Sequence, residues 1–188
     1  MTDDPWINFF VILTVGANVV TLALWGFAIA ARFGRATNAW GQTRDWLGVN
    51  GLAIAAIVAT TAMAGSLYLS EGAHLPPCKL CWYQRIAMYS LAVILVVAVV
   101  RRDWNVKPYA LTLGVIGPCI SIYHYLIERF PDWEHGTSCD PANPCTITWI
   151  WRLHYISIPL MACSAFLLVD TVLLTARTSR RPPVREHV

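Results

Sequence analysis

Long apolar runs dominate the chain, and polar residues are concentrated in the short stretches between them. Five runs are about 20 residues or longer, which is the length that an α-helix needs to cross the ~30 Å hydrocarbon core of a bilayer. The predicted spans are Trp6–Ala31, Leu47–Ser70, Trp82–Val100, Pro108–Ile127 and Thr148–Ala176. The pattern therefore predicts an all-α integral membrane protein with five transmembrane helices.

The composition agrees with a membrane protein and excludes an ordinary soluble domain. Hydrophobic residues make up 56% of the 188 residues and charged residues only 13%. A soluble domain has about 25% charged residues. The net charge of +3 is small, and it gives no reason to expect a nucleic acid as a partner. We expect membrane lipid to surround the protein.

The positive charges are distributed unevenly between the two sides that five spans define. Predicted loops 32–46 and 101–107 share one side with the tail 177–188, and together they hold ten of the fourteen Lys and Arg residues. The positive-inside rule assigns such a side to the cytoplasm. We therefore expect the N-terminus and the loops 70–81 and 128–147 outside the cytoplasm, and the C-terminus inside.

Six cysteines fall into two groups. Two lie inside apolar spans, where a thiol behaves as a small apolar packing residue; these are Cys119 and Cys163. Four lie in the two predicted outer loops, in close pairs; these are Cys78, Cys81, Cys139 and Cys145. Paired thiols in an oxidising compartment usually form disulfides, so the two pairs are candidate redox-active groups.

The first pair is a Cys-x-x-Cys motif that follows two prolines, and a helix is predicted to begin at or near Cys81. The unpaired amides and the positive dipole end of a helix N-terminus stabilise a thiolate. Arg85 follows Cys81 by four residues, so it shares the same helix face one turn deeper. An Arg just inside a span indicates a functional site. The alternative is that Arg85 extends outward to lipid headgroups.

The second pair, Cys139 and Cys145, flanks five residues that include Asp140, Asn143 and two prolines. These are turn-forming residue types, so the segment can bring the two sulfurs together. A disulfide that closes so short a ring stabilises a fold only modestly. We therefore interpret this pair as an exchangeable disulfide.

The segment Cys78 to Arg85, with the pattern Cys-x-Leu-Cys-x-x-Gln-Arg at a helix start, resembles the DsbB family of disulfide-bond-formation membrane proteins. The order of the following loops and spans agrees, and the compact second cysteine loop is most similar to BdbC-like members. The resemblance covers roughly 47–176 and implies a DsbB-like four-helix transmembrane bundle there. Residues 1–46 then form an additional N-terminal transmembrane helix and cytoplasmic loop, and residues 177–188 a basic cytoplasmic tail.

The resemblance also implies an activity and a location. The protein would be a quinone-dependent thiol oxidase in the bacterial inner (cytoplasmic) membrane. It would reoxidise an extracytoplasmic thioredoxin-fold dithiol oxidase, DsbA- or BdbD-like, and pass the electrons to ubiquinone or menaquinone.

Site roles follow from the same resemblance. Cys78 and Cys81 would form the pair next to the quinone, with Cys81 facing the ring and Arg85 beside a ring oxygen. Cys139 would form the mixed disulfide with the partner, and Cys145 would resolve it.

His124, near the outer end of the fourth span, matches a histidine that the family places beside the quinone. A single histidine in a span is equally interpreted as a hydrogen-bonded packing residue.

Three other interpretations compete with the oxidase. The four outer cysteines could bind zinc, since Cys-x-x-Cys is a common zinc-ligand spacing. The disulfides could be purely structural, in a membrane subunit without redox turnover. A vitamin-K-epoxide-reductase-like enzyme also couples thiols to a quinone, but there the Cys-x-x-Cys follows the loop pair in the chain, whereas here it comes first.

Overall fold

The computed structural model describes residues 4–134, 139–140 and 143–177, and five long helices account for most of them. The helices are α1 (Pro5–Arg32), α2 (Thr37–Leu67), α3 (Lys79–Arg101), α4 (Lys107–Arg129) and α5 (Ile158–Thr175). Each belongs to a helical segment long and apolar enough to cross a membrane. The predicted all-α membrane fold is confirmed. Most of the predicted basic tail, 178–188, lies outside the described residues.

Short helical turns complete the described fold. A π-helical turn, Tyr68–Gly72, extends α2, and 3-10 turns lie at Trp104–Val106 and Pro131–Trp133. The segments 73–78, 130–134, 139–140 and 143–157 lie at one end of the bundle, which we call the cysteine end. The connections 33–36 and 102–106 lie at the opposite end. The helices therefore alternate in direction, as five successive spans require.

Two predicted boundaries are wrong. Helix α2 begins at Thr37, so most of the segment 32–46 that was predicted as a loop is helical. The first residues of this helix are largely polar, and a hydropathy pattern identifies only the part of a helix that lies in the bilayer core. The pattern therefore placed the start of α2 too late. Helix α5 begins at Ile158 and not at Thr148. Leu153 and His154 both adopt left-handed backbone conformations, which interrupt a helix.

Helices α2 to α5 pack around a continuous apolar core. Its fully buried members include Ala55 and Ala59 of α2, Leu91 and Leu95 of α3, and Phe166 of α5. Small residues such as alanine let transmembrane helices approach closely. This core fixes the position of α3, whose N-terminus carries the first cysteine pair.

Helix α1 packs on the outside of α2 and α5. At the cysteine end, the Tyr68 hydroxyl donates a hydrogen bond to a carboxylate oxygen of Asp4 at 2.8 Å. Further along, Trp25 Nε1 donates to Thr171 Oγ1 of α5 at 3.0 Å. Two polar contacts to two different helices hold α1 against the bundle.

Candidate active site

The first cysteine pair lies at the start of α3. Cys78 is the N-cap residue, and its sulfur accepts a hydrogen bond from the Cys81 backbone N–H at 3.4 Å. The helix begins at Lys79, slightly before the predicted start, so Cys78 and not Cys81 is the residue at the helix N-terminus. The two Sγ atoms lie 2.9 Å apart, so a small movement would bring them to the ~2.05 Å of a disulfide.

The environment of Cys78 favours its thiolate. A hydrogen bond from the Cys81 thiol is the largest influence, and together with the His124 ring and the Cys81 backbone N–H it lowers the pKa of Cys78 to about 4. Burial acts in the opposite direction but is outweighed. Reactive cysteines have this property, because the thiolate is the nucleophile in disulfide exchange. In the reduced pair, Cys78 is therefore the ionised sulfur at neutral pH.

This pKa predicts an unusual titration. A lowered pKa keeps the thiolate present at neutral pH and removes it only as the pH falls through about 4, whereas an ordinary thiol protonates below about 8.5. The thiolate ultraviolet absorbance of the reduced protein, as the difference between wild type and Cys78→Ser, should follow the low midpoint. His124→Phe should raise this midpoint. A difference signal that disappears between pH 8 and 9 (roughly the ordinary thiol range) would contradict the assignment.

His124 of α4 connects the two cysteine pairs. The side chain is 2% exposed, and its Nε2 lies 3.6 Å from Cys78 Sγ and 3.1 Å from the backbone carbonyl oxygen of Cys145. Its Nδ1 lies 3.1 Å from Gln84 Nε2. Gln84 can donate to Nδ1 while the Nε2 proton is donated to the Cys145 carbonyl. His124 thus holds the second cysteine loop against the N-terminus of α3.

The second pair is joined in a disulfide between Cys139 and Cys145, whose Cα atoms are 6.1 Å apart. Residues 135–138 and 141–142, including the predicted turn residue Pro141, lie outside the described residues. Cys145 is 1% exposed and packs in one apolar cluster with Cys78 and Ile127, while Cys139 lies at the margin of this cluster. The two cysteine pairs are therefore neighbours.

The bonding of the cysteines bears on the zinc interpretation. With Cys139 and Cys145 joined to each other, the four outer cysteines do not offer four thiolates to a metal. A smaller set remains possible, since donor atoms of Cys78, Cys81 and His124 all lie within 4.8 Å of one another. Among the remaining cysteines, Cys163 is buried as predicted, whereas Cys119 is exposed on the outer face of α4.

Arg85 points into the bundle. Its Nε donates to the Ser66 hydroxyl at 3.0 Å, and its Nη2 donates to the Ser66 backbone carbonyl at 2.8 Å. The guanidinium also lies 5.3 Å from the centre of the Trp82 ring, a cation–π contact. These contacts differ from those of a side chain extended to lipid headgroups. They fix the guanidinium next to the cavity described below.

A cavity of about 550 Å³ lies between α1, α2, α3 and α5. Cys81, Gln84 and Arg85 form part of its wall, together with prolines 76 and 77, and most of the other lining residues are apolar. Cys81 therefore faces this cavity, while Cys78 faces His124 and the second cysteine pair. His124 lies between the cysteine pairs and is not among the residues that line this cavity, and its place beside a quinone stays a prediction.

Sequence reasoning missed two residues that organise the site. Gln84 is a buried amide in an apolar span, which is a signal that could have identified it. Ser66 accepts hydrogen bonds from Arg85 and also from the Tyr89 hydroxyl, at 3.3 Å. Nothing in the sequence distinguishes this serine, because its role depends on the packing of α2 against α3.

Comparison with known proteins gives a consistent family. Residues 49–176 match the family model described as disulfide bond formation protein DsbB. Disulfide bond formation protein C of Bacillus subtilis (strain 168) is 44% identical over 113 residues, which cover 60% of this chain and 82% of that protein. Probable disulfide formation protein C 2 of Bacillus anthracis is 41% identical over 130 residues, which cover 69% of this chain and 92% of that protein. No solved structure gives a significant match.

The matched region includes α3, α4, α5 and most of α2, and it contains all the candidate site residues. Helix α1 precedes it. The resemblance that the Cys-x-x-Cys segment indicated is therefore confirmed. This five-helix membrane protein belongs to the DsbB family of disulfide bond formation proteins.

Proposed function

We propose that the protein is a quinone-linked thiol oxidase. It would reoxidise an extracytoplasmic thioredoxin-fold dithiol protein, DsbA- or BdbD-like, and pass the electrons through Cys139–Cys145 and Cys78–Cys81 to a membrane quinone. One observation carries the proposal: the two cysteine pairs pack against each other around His124, and Cys81 lines an apolar cavity on the other side.

The first step is exchange with the partner. A partner thiolate attacks Cys139, which is less buried than Cys145, and Cys145 leaves as a thiolate. The second partner thiol then attacks the mixed disulfide, and the partner departs with its own disulfide. The net change is one partner dithiol oxidised and the Cys139–Cys145 disulfide reduced. Each attack requires a thiolate.

The second step is exchange between the two pairs. Cys145 attacks Cys78 of the Cys78–Cys81 disulfide, and Cys81 leaves. Cys139 then attacks Cys145 and releases Cys78, whose environment stabilises the departing thiolate. The packing of Cys145 beside Cys78 supports this route, because the short second loop needs no large movement.

The cavity fits a quinone. Its walls are predominantly apolar, as the ring and isoprenoid chain require, and Arg85 and Gln84 lie close to Cys81, where they can donate to ring oxygens. The chemistry that a quinone supplies there is acceptance of two electrons and two protons, as Cys78 and Cys81 return to a disulfide. Arg85 provides a fixed positive charge where negative charge develops.

The proposed location is the bacterial cytoplasmic membrane, with the cysteine end outside. The opposite end carries Arg32, Arg35, Arg101 and Arg102, as the positive-inside rule expects of the cytoplasmic side. A partner that acts outside the cytoplasm could then reach Cys139 directly.

Replacing Arg85 by methionine should weaken quinone binding at least about tenfold, because a hydrogen bond to a charged group contributes roughly 1.5–3 kcal/mol. Equilibrium dialysis of a short-chain quinone against the purified protein measures the change in affinity. Arg101→Met, at the opposite end of the same helix, should leave the affinity unchanged. Equal affinities of Arg85→Met and wild type would remove Arg85 from the quinone site.

The experiment that tests the function itself uses the purified chain in detergent with a reduced thioredoxin-fold oxidase and a short-chain quinone. The oxidase proposal expects loss of quinone absorbance with turnover. No turnover together with one zinc ion per chain (the stoichiometry of a structural site) would favour a metal-binding protein.

A further inference from the structure

Helix α1 precedes the region that matches the family, yet it forms one wall of the cavity beside Cys81. Its cavity-lining residues include Phe10, Leu13, Ala17 and Val20. Their spacing of three, four and three residues places them on a single face of the helix. At 1.5 Å per residue, this apolar stripe is about 15 Å long.

Helix α1 forms one side of the cavity. Near the opposite end of the bundle, α2 and α5 approach each other closely, and a Cβ on Gly51 would contact Val172. Towards the cysteine end, both helices line the cavity. There α1 rests on α2 so tightly that a Cβ on Gly65 would come within 2.9 Å of the Phe10 ring.

The stripe offers an apolar surface and no ready hydrogen-bond donor. Thr14 also lines the cavity, but its hydroxyl donates to the Phe10 backbone carbonyl at 2.8 Å. The charged and amide side chains of the cavity, Arg85 and Gln84, lie instead one helical turn from Cys81. The cavity thus has a polar end for a ring and an apolar side for a chain.

We propose that α1 is part of the quinone site and that its apolar stripe binds the isoprenoid chain. The inference rests on the proposed function, since it assigns a further element to the same site. When the quinone binds, its isoprenoid chain leaves contacts with lipid and makes contacts with α1. The contribution of α1 to the binding free energy therefore comes from packing and shape, and not from removal of apolar surface from water.

Two glycines of α1 provide a matched test. A Cβ on either Gly16 or Gly26 would have no neighbour within 4 Å, so a larger side chain has room at both positions. Gly16 lines the cavity, whereas Gly26 lies further along α1, beyond Val20, and is not among the residues that line the cavity. Gly16→Phe therefore fills the proposed chain site, and Gly26→Phe does not.

The readout is the amount of quinone that each protein retains after purification from bacterial membranes, extracted and quantified per chain. Gly16→Phe should retain at least about fivefold less quinone than wild type, and Gly26→Phe the same amount as wild type. Equal retention by the two variants would overturn the inference. Both variants should keep the helical circular-dichroism spectrum of the wild type, which shows that they are folded.

A second measurement needs no substitution. A quinone with a photoreactive group on its isoprenoid chain should label wild-type α1 between residues 10 and 20, and excess unlabelled quinone should suppress the labelling. Labelling confined to α2, α3 and α5 would overturn the assignment of α1 and leave the proposed function intact. A wild-type protein that neither retains quinone nor is labelled would overturn both.

Discussion

Replacing Cys81 by serine is expected to reduce partner-driven quinone reduction at least about a thousandfold, as is typical when a covalent nucleophile is removed. Cys81 lines the cavity, and its sulfur is 2.9 Å from that of Cys78. Without it, the inner pair can neither form a disulfide nor return its electrons to an acceptor. Quinone absorbance, followed with a reduced thioredoxin-fold partner, measures the loss.

The matched control is Cys119→Ser. Cys119 is also a free cysteine in an apolar helix, but it lies exposed on α4, away from the cysteine cluster. This variant should keep wild-type turnover. Substantial turnover in Cys81→Ser, or an equal loss in Cys119→Ser, would contradict the assigned role of Cys81.

Removal of the outer pair should separate two activities. The double variant Cys139→Ser/Cys145→Ser lacks the disulfide that meets the partner, so partner-driven quinone reduction should fall at least about a thousandfold. The inner pair is intact, and a small dithiol such as dithiothreitol can reduce it directly. Dithiothreitol-driven quinone reduction should therefore persist.

The same double variant distinguishes a disulfide that transfers electrons from one that only stabilises the fold. If the outer disulfide only stabilised the fold, its removal would lower partner-driven and dithiothreitol-driven turnover together, along with the thermal stability. If the partner exchanged directly with the inner pair, both activities would persist. Either result would contradict electron transfer through Cys139 and Cys145.

Much of this fold could be predicted from the sequence because bilayer physics simplifies it. A spanning helix must be predominantly apolar where it crosses the hydrocarbon core, so the five apolar runs marked the five long helices of the described residues. The helix ends were less predictable, since α2 continues into polar residues from Thr37 and the apolar segment before α5 contains left-handed residues at Leu153 and His154. The apolar residues of 148–157 therefore did not indicate a helix, and they lie at the cysteine end of the bundle.

The chemistry of the site was predictable where it depended on local spacing. The Cys-x-x-Cys motif placed two sulfurs at the start of α3, and the turn residues between Cys139 and Cys145 indicated their pairing, which the structure contains. The contact of His124 with Cys78, the two hydrogen bonds from Arg85 to Ser66 and the wall formed by α1 depend on how separate helices pack. The spacing of residues in the sequence does not predict contacts of this kind.

In the proposed function, one chain couples oxidation of a partner dithiol to reduction of a quinone. The most direct test follows both reactions in one sample of purified protein, with partner thiols titrated as quinone absorbance is recorded. We expect about one quinone reduced for each partner disulfide formed, because both are two-electron changes. Partner oxidation without quinone loss, or no reaction of either, would contradict it.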